Sequence, residues 1–250
     1  MELGFHLVGL RALVTFSSKK LLLNRRWVIV ALMAALVAVV MLYVASEGSG
    51  TIDEGSTLIN TLILSFLLPI MSLIYGASMI RNEIDDRSIT QVVTSPMDRR
   101  VAYIGYYLSL CVVLSVMLVI IESVGWASFF LTTSVDGEAV ELLLSYALLL
   151  VIGSFVYSSL FLLLGVVFRQ PIYLGLLYVF VWEALVGSLP GAIGQYTISY
   201  YIKVIGSHLI PYGNITQFSG DAGVAALVLA ALAAVFLIIG AWAFREKEIP

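Results

Sequence analysis

Long runs of apolar residues dominate the chain, and the charges collect in the gaps between them. The runs cover residues 27–46, 57–80, 101–122, 142–167, 172–189 and 222–244. They show neither the one-sided periodicity of a surface helix nor the alternation of a half-buried strand. A helix crossing a bilayer needs ~20 such residues to span a hydrocarbon core of ~30 Å. The pattern therefore predicts an all-α integral membrane protein with six transmembrane helices in a single domain, residues 1–250. Residues 3–26 break the pattern by mixing apolar positions with a basic second half. They read as a helix lying in the cytoplasmic interface beside anionic headgroups, or as a plain charged flank of the first span. No short apolar core with a small-residue cleavage site precedes Arg11, so a secretory signal is not expected here.

Composition agrees and excludes other classes. Of 250 residues, 61% are hydrophobic and 12% charged, against ~45–50% and ~25% in soluble domains. Too few charges remain to cover a water-facing surface, which excludes a soluble enzyme. The single cysteine, Cys111, offers no disulfide framework or thiolate cluster. His6 and His208 lie far apart, and no HExxH, GxSxG or phosphate-loop GxxxxGK[ST] segment occurs. The net charge of -3 carries little information beside its distribution. Arg11, Lys19, Lys20, Arg25 and Arg26 precede the first span, and Arg81, Arg87, Arg99 and Arg100 follow the second. Arg169 follows the fourth, and Arg245 and Lys247 close the chain. Lys203 alone falls on the opposite side, where Glu47, Asp53, Glu54, Asp136, Glu138, Glu141 and Asp221 gather. Basic residues are retained in the cytoplasm, so both termini are expected there, consistent with an even number of spans.

The most informative polar segment is the cytoplasmic stretch IRNEIDDRSITQVVTSPMDRR at 80–100. A loop that only joins two spans needs about four to eight residues, and this one spends more than twice that. Asp85 or Asp86 can cap a short helix whose apolar face is Ile89, Val92 and Val93, a surface suited to another protein; a solvated linker is the plainer alternative. The order of an acidic cluster, Ser/Thr, an apolar pair, Ser-Pro and Arg-Arg closely resembles the loop between the second and third spans of ABC-2 type transporter permeases. Glu83 matches the acidic position that opens that motif. Asp86, Arg87, Ser88, Ile89 and Thr90 match the segment usually read as Glu-x-Gly-Thr, and Ser95-Pro96 with Arg99 match its closing Ser-Pro-x-x-Arg. Ser88 stands where glycine is usual, and Tyr106 or Tyr107 stands near where a lysine often follows.

The resemblance extends to the interfacial helix, the six spans and an outer excursion, 190–221, before the last span. Trp182-Glu183 in the fifth span looks like a subgroup of the same permeases. The resemblance implies a coupling helix that docks into a separate ATP-binding subunit, with Glu83, Asp85, Asp86, Arg87, Thr90, Ser95, Pro96 and Arg99 as coupling residues. It implies two ATP-binding subunits holding ATP and Mg, no cofactor on this chain, and a second permease subunit, a homodimer being expected over a heterodimer. A plasma-membrane location follows, with no nucleic-acid partner.

Several intramembrane features bear on function. Counting ~1.5 Å per residue from Ile172, Glu183 lies roughly 17 Å into a core of ~30 Å, as a pathway residue or a structural strut. Glu122 falls at the outer end of the third span, solvated or snorkelling. The apolar residues 123–134 read as a helix that leans on or re-enters the outer leaflet. Residues 188–221, rich in tyrosine, read as short helices at the outer surface forming a lid or vestibule. Asn214-Ile215-Thr216 is a glycosylation sequon on the outer side, of a kind that often arises by chance. Pro69 kinks the second span. Ala222, Ala226, Ala230 and Ala234 form a small-residue stripe suited to close packing within or between subunits. The expected function is the permease subunit of an ATP-driven exporter. Two alternatives stand beside it: a partner-independent carrier or channel using Glu183 and Glu122, and a sensor or scaffold subunit of a similar complex. A membrane-bound enzyme is a distant further possibility, since no acid–base or nucleophile constellation appears in the loops.

Overall fold

The computed structural model describes residues 14–19, 27–48, 50–85, 99–131, 137–188 and 192–246, and for 81–85 and 192 the backbone alone. Every element among them is helical. Five helices are long and apolar enough to cross a membrane. The first, α1 (Trp27–Glu47), is apolar on all sides, and Val30, Ala34, Val37 and Met41 form its one buried stripe. That stripe lies along α3 (Arg99–Phe130). The other faces point outward, as a helix bathed in lipid requires. Of the interfacial helix expected over 3–26, residues 14–19 are helical, and the Val14 carbonyl accepts from Ser109 Oγ of α3 at 3.4 Å. The rest of that segment lies outside the described residues.

The second span, α2, changes winding along its length. Ile52–Leu58 is α-helical, Ile59–Leu67 is π-helical, and Leu68–Asp85 is α-helical again. Thr51 caps its start by accepting from Glu54 N–H. Pro69 sits at the junction where the π segment ends. It lacks an N–H, so the carbonyls one turn before it lose a ladder partner. The Leu68 N–H bonds the Ile63 carbonyl, the i→i−5 spacing of a π turn.

The hub is α4 (Gly137–Val167), which packs on α2, α3 and α7 (Ala222–Glu246). Its crossing with α2 depends on glycine. A methyl group added at Gly165 would stand 2.9 Å from the Ala77 carbonyl oxygen and 3.4 Å from that of Gly76. The two backbones approach directly, the geometry that small residues permit between membrane helices. Along α7 the buried residues are Ala225, Leu229, Gly240 and Phe244. Ala226, Ala230 and Ala234 are exposed, so most of the alanine stripe is unused within the chain.

Two expectations need correction at the C-terminal end of α3. Residues 123–130 continue α3 as plain α-helix instead of leaning aside or folding back. Their apolar side chains are consumed by packing. Trp126 Nε1 donates to the Ala139 carbonyl at 2.7 Å, and Phe129 closes over Gly55 at the start of α2. Glu122 therefore sits well inside a helix of 32 residues. It is 0% exposed, and neither carboxyl oxygen has a hydrogen-bond partner, unlike the solvated residue expected.

The fifth apolar helix, α5, is short: Pro171–Leu177 is α-helical and Tyr178–Val186 π-helical. Its length, about 24 Å at ~1.5 Å per residue, falls below the core thickness of ~30 Å. The outer excursion occupies the space above it. A 3₁₀ turn, Ala192–Tyr196, leads into α6 (Ile198–Leu209), and a second turn, Gly213–Gln217, leads to α7. α6 is packed into the bundle: Ile202 lies against Gly153 of α4, and Gly206 faces Leu149.

Candidate functional site

The first turn of any helix leaves backbone N–H groups without intrahelical acceptors. At α6 the problem is acute, because its start is buried. Thr197, the N-cap, accepts from Tyr200 N–H through Oγ1 at 3.3 Å. The two N–H groups before that go to Glu183: Ile198 N–H donates to Oε1 at 3.0 Å and Ser199 N–H to Oε2 at 3.2 Å. Tyr178 Oη donates to Oε1 at 2.6 Å. Three donors converge on one carboxyl group, an arrangement that suits an acceptor-only carboxylate at the positive end of a helix dipole.

The π winding of α5 makes this possible. Tyr178 and Glu183 are five residues apart, one π-helical turn, whereas an α-helix would rotate them about 140° from each other. The neighbouring Trp182, 44% exposed, donates from Nε1 to the Tyr196 carbonyl at 3.1 Å. The adjacent pair Trp182-Glu183 thus fastens both the 3₁₀ turn and the start of α6 to the top of α5. The buried Tyr157 hydroxyl stands beside Glu183 and Ser199.

Glu183 also forms part of a cavity wall. A space of about 490 Å³ lies between the π segment of α2 (Thr61, Leu62, Ser65, Phe66), the end of α5 (Glu183, Ala184, Gly187, Ser188) and the first turns of α6 (Thr197, Ser199, Tyr200, Lys203), with Phe218 at its edge. Both π-helical segments face it, a form of winding that recurs at functional sites. Lys203 Nζ stands 5.0 Å from the centroid of the Phe218 ring, a cation–π distance. Burial pushes the Lys203 amine down from its ordinary value, and the charge of Glu183 partly opposes this.

Farther out, a polar clamp joins the start of α2 to the loop after α6. Ser56 Oγ donates to the Tyr212 carbonyl at 2.8 Å and lies 3.0 Å from Tyr146 Oη, which in turn donates to the Ser56 carbonyl at 2.9 Å. Gly213 N–H donates to Asp53 Oδ1 at 2.8 Å, and Asn60 Nδ2 to Asn214 Oδ1 at 2.6 Å. Gly213 has φ +73 and is pressed against Ser56 and Thr57, so the turn there requires glycine on both counts. Asn214, the sequon asparagine, is held in this clamp. Of the clamp residues, the sequence had marked Asn214 only as a sequon and Asp53 only as an acidic residue, and had not joined them. Their signal was the helical spacing of Asp53, Thr57, Asn60 and Thr61 on one side of an otherwise apolar run.

The expected coupling residues are only partly within the described structure. Glu83 and Asp85 lie on the last turn of α2, and Asp85 is its last residue. Asp86, Arg87, Thr90, Ser95 and Pro96 lie outside the described residues. Arg99 opens α3 and donates from Nη1 to the Arg245 carbonyl at 3.4 Å, which ties the start of α3 to the C-terminal end of α7. Glu183 lines the cavity; neither its chain neighbour Trp182 nor Pro69 does. Among the described residues no three His, Cys, Asp or Glu side chains gather as metal ligands would.

A bundle of apolar helices, one of them stopping short and roofed by a buried polar cap, defines a multi-pass helical membrane protein with an internal cavity. The family model described as ABC-2 family transporter protein matches residues 19–182. The chain belongs to that family of transporter permeases. No curated protein matches it.

Proposed function

We propose that this chain is the transmembrane permease subunit of an ATP-driven ABC-2 type exporter. In this reading it has six spans, α5 being the short one, with both termini cytoplasmic and the protein in the plasma membrane. Two copies form the pathway. The segment 80–100 docks a separate ATP-binding subunit on each side, and ATP and Mg are held there and not by this chain. The observation that carries the reading is the family match, which runs from before α1 through that segment to Trp182. Closure of the ATP-binding subunits would push on the cytoplasmic end of α2. The π segment at Ile59–Leu67 would let the outer half of α2 respond and alter the cavity it lines. This is alternating access by movement of packed helices.

The carrier alternative draws no support from the geometry. Glu183 is occupied by the α6 cap, and Glu122 is not part of the cavity wall, so the two carboxyl groups form no shared site. The reading is tested by co-purifying the detergent-solubilised protein with its candidate ATP-binding subunit. Wild type is expected to retain the partner, and a Glu83→Ala, Asp86→Ala, Arg87→Ala triple variant to lose it. A folded wild-type preparation that binds no ATP-binding subunit would overturn the assignment.

A further inference from the structure

The cavity beside Glu183 contains two charged groups that are not equivalent. Glu183 is 6% exposed and its oxygens already accept from Tyr178, Ile198 and Ser199. Its negative charge is committed to the start of α6. Lys203, almost a turn and a half into the same helix, has no carboxylate within ion-pair distance among the described residues; the Phe218 ring is its neighbour. An ammonium facing a partly enclosed, largely apolar space with no paired anion, only the charge of Glu183 at longer range, is a costly arrangement, one that a ligand anion would complete. The same wall carries the Thr61 hydroxyl, which is placed to donate, whereas those of Ser65 and Ser188 already donate to the Asn60 and Leu185 carbonyls. Phe66, half exposed, extends the apolar surface toward the outside of the bundle.

We infer that this cavity binds an amphiphile with an anionic headgroup, the headgroup between Lys203 and the Thr61 hydroxyl and the apolar part along Leu62 and Phe66. A small inorganic anion would gain the first contact but leave the apolar wall uncovered. A cationic amphiphile would meet Lys203 as a like charge. Lys203 is the one basic residue that the charge distribution places on the outer side of the chain, where the other charged residues are acidic. Retention of an anion at this depth therefore depends on that single side chain. The inference takes its physiological meaning, a substrate or lipid handled during export, from the permease reading. Binding itself requires no partner subunit.

The test uses the purified full chain in a neutral maltoside detergent, without an ATP-binding subunit, so that failure of binding and failure of coupling are read separately. Affinities for dodecyl phosphate, dodecyltrimethylammonium and inorganic phosphate are measured by calorimetry. Dodecyl phosphate is expected to bind at least about tenfold more tightly than either comparison ligand, since a charge-assisted contact is worth about one decade or more in affinity. Lys203→Met, which keeps the volume of the side chain, is expected to lose about tenfold in dodecyl phosphate affinity, and Lys203→Arg to keep most of it. Thermal unfolding of each variant confirms that the fold persists. Equal affinity for the cationic amphiphile, equal affinity for inorganic phosphate, or undiminished binding by a folded Lys203→Met would each overturn the proposal.

Discussion

Replacing Glu183 separates a residue that builds the roof of the cavity from one that merely lines it. Glu183→Ala would leave the Ile198 and Ser199 N–H groups and the Tyr178 hydroxyl without their acceptor, the first two buried and the third part-buried. A buried donor left unpaired costs ~1–3 kcal/mol, so even the lower figure for each of three gives about 3 kcal/mol. That cost falls on the start of α6, and local opening there should become about 10²-fold more frequent. Glu183→Gln keeps one carbonyl oxygen for Tyr178 and Ile198 but turns an amide donor toward Ser199 N–H. It loses one hydrogen bond, about 1 kcal/mol, or about fivefold in opening. Hydrogen exchange followed by mass spectrometry on peptides covering 197–204, in the same detergent for all three proteins, reads this order directly. Exchange in Glu183→Ala equal to wild type, or equal in the alanine and glutamine variants, would refute the capping role.

Other consequences can be checked on the same preparation. Gly165→Val drives a branched side chain into the Ala77 and Gly76 carbonyls and should destabilise the protein by ~1–3 kcal/mol. Gly137→Ala, where nothing lies within 4 Å, should leave the unfolding temperature unchanged. Tyr146→Phe removes the hydroxyl that bridges to Ser56 and should cost about 1 kcal/mol, seen as a lower thermal midpoint. Lys203 titrates below its ordinary value of 10.5 because it is buried, so in the alkaline range the unfolded chain binds more protons than the folded one. Stability should then rise with pH as the folded amine loses its proton, up to about pH 10.5. This increment should be absent from Lys203→Met in denaturation measured across that range; an identical rise in both would contradict it.

Much of this architecture could be read from the order of residues. The five long helices lie where the apolar runs placed them, because no other element satisfies its backbone in lipid. Glu183 stood out as a lone carboxyl group in such a run. Its job was not legible, since its partners come from a helix start 15 and 16 residues later and from a π turn that no local propensity marks. Glu122 was misplaced because its depth was counted from a single span length, while α3 continues to Phe130 on the strength of packing by Trp126 and Phe129. α6 resembled a surface helix by its tyrosines. Ile198, Ile202 and Gly206 form the stripe that buries it, and Gly153 of α4, which admits Ile202, carries no signal of its own.

Under the proposed function, movement at the end of α2 that carries Glu83 reaches the cavity at its other half, and one accessibility measurement addresses that link. Cys111 is the sole cysteine and is buried, so Thr61→Cys places a single reactive thiol on the cavity wall. Proteoliposomes holding this variant with its ATP-binding subunit would be treated from the outer side with a membrane-impermeant thiol reagent, with and without ATP. A labelling rate that changes several-fold with ATP, and loses that dependence in the Glu83→Ala, Asp86→Ala, Arg87→Ala background, is the result expected. A rate indifferent to ATP while the partner hydrolyses it would contradict the account.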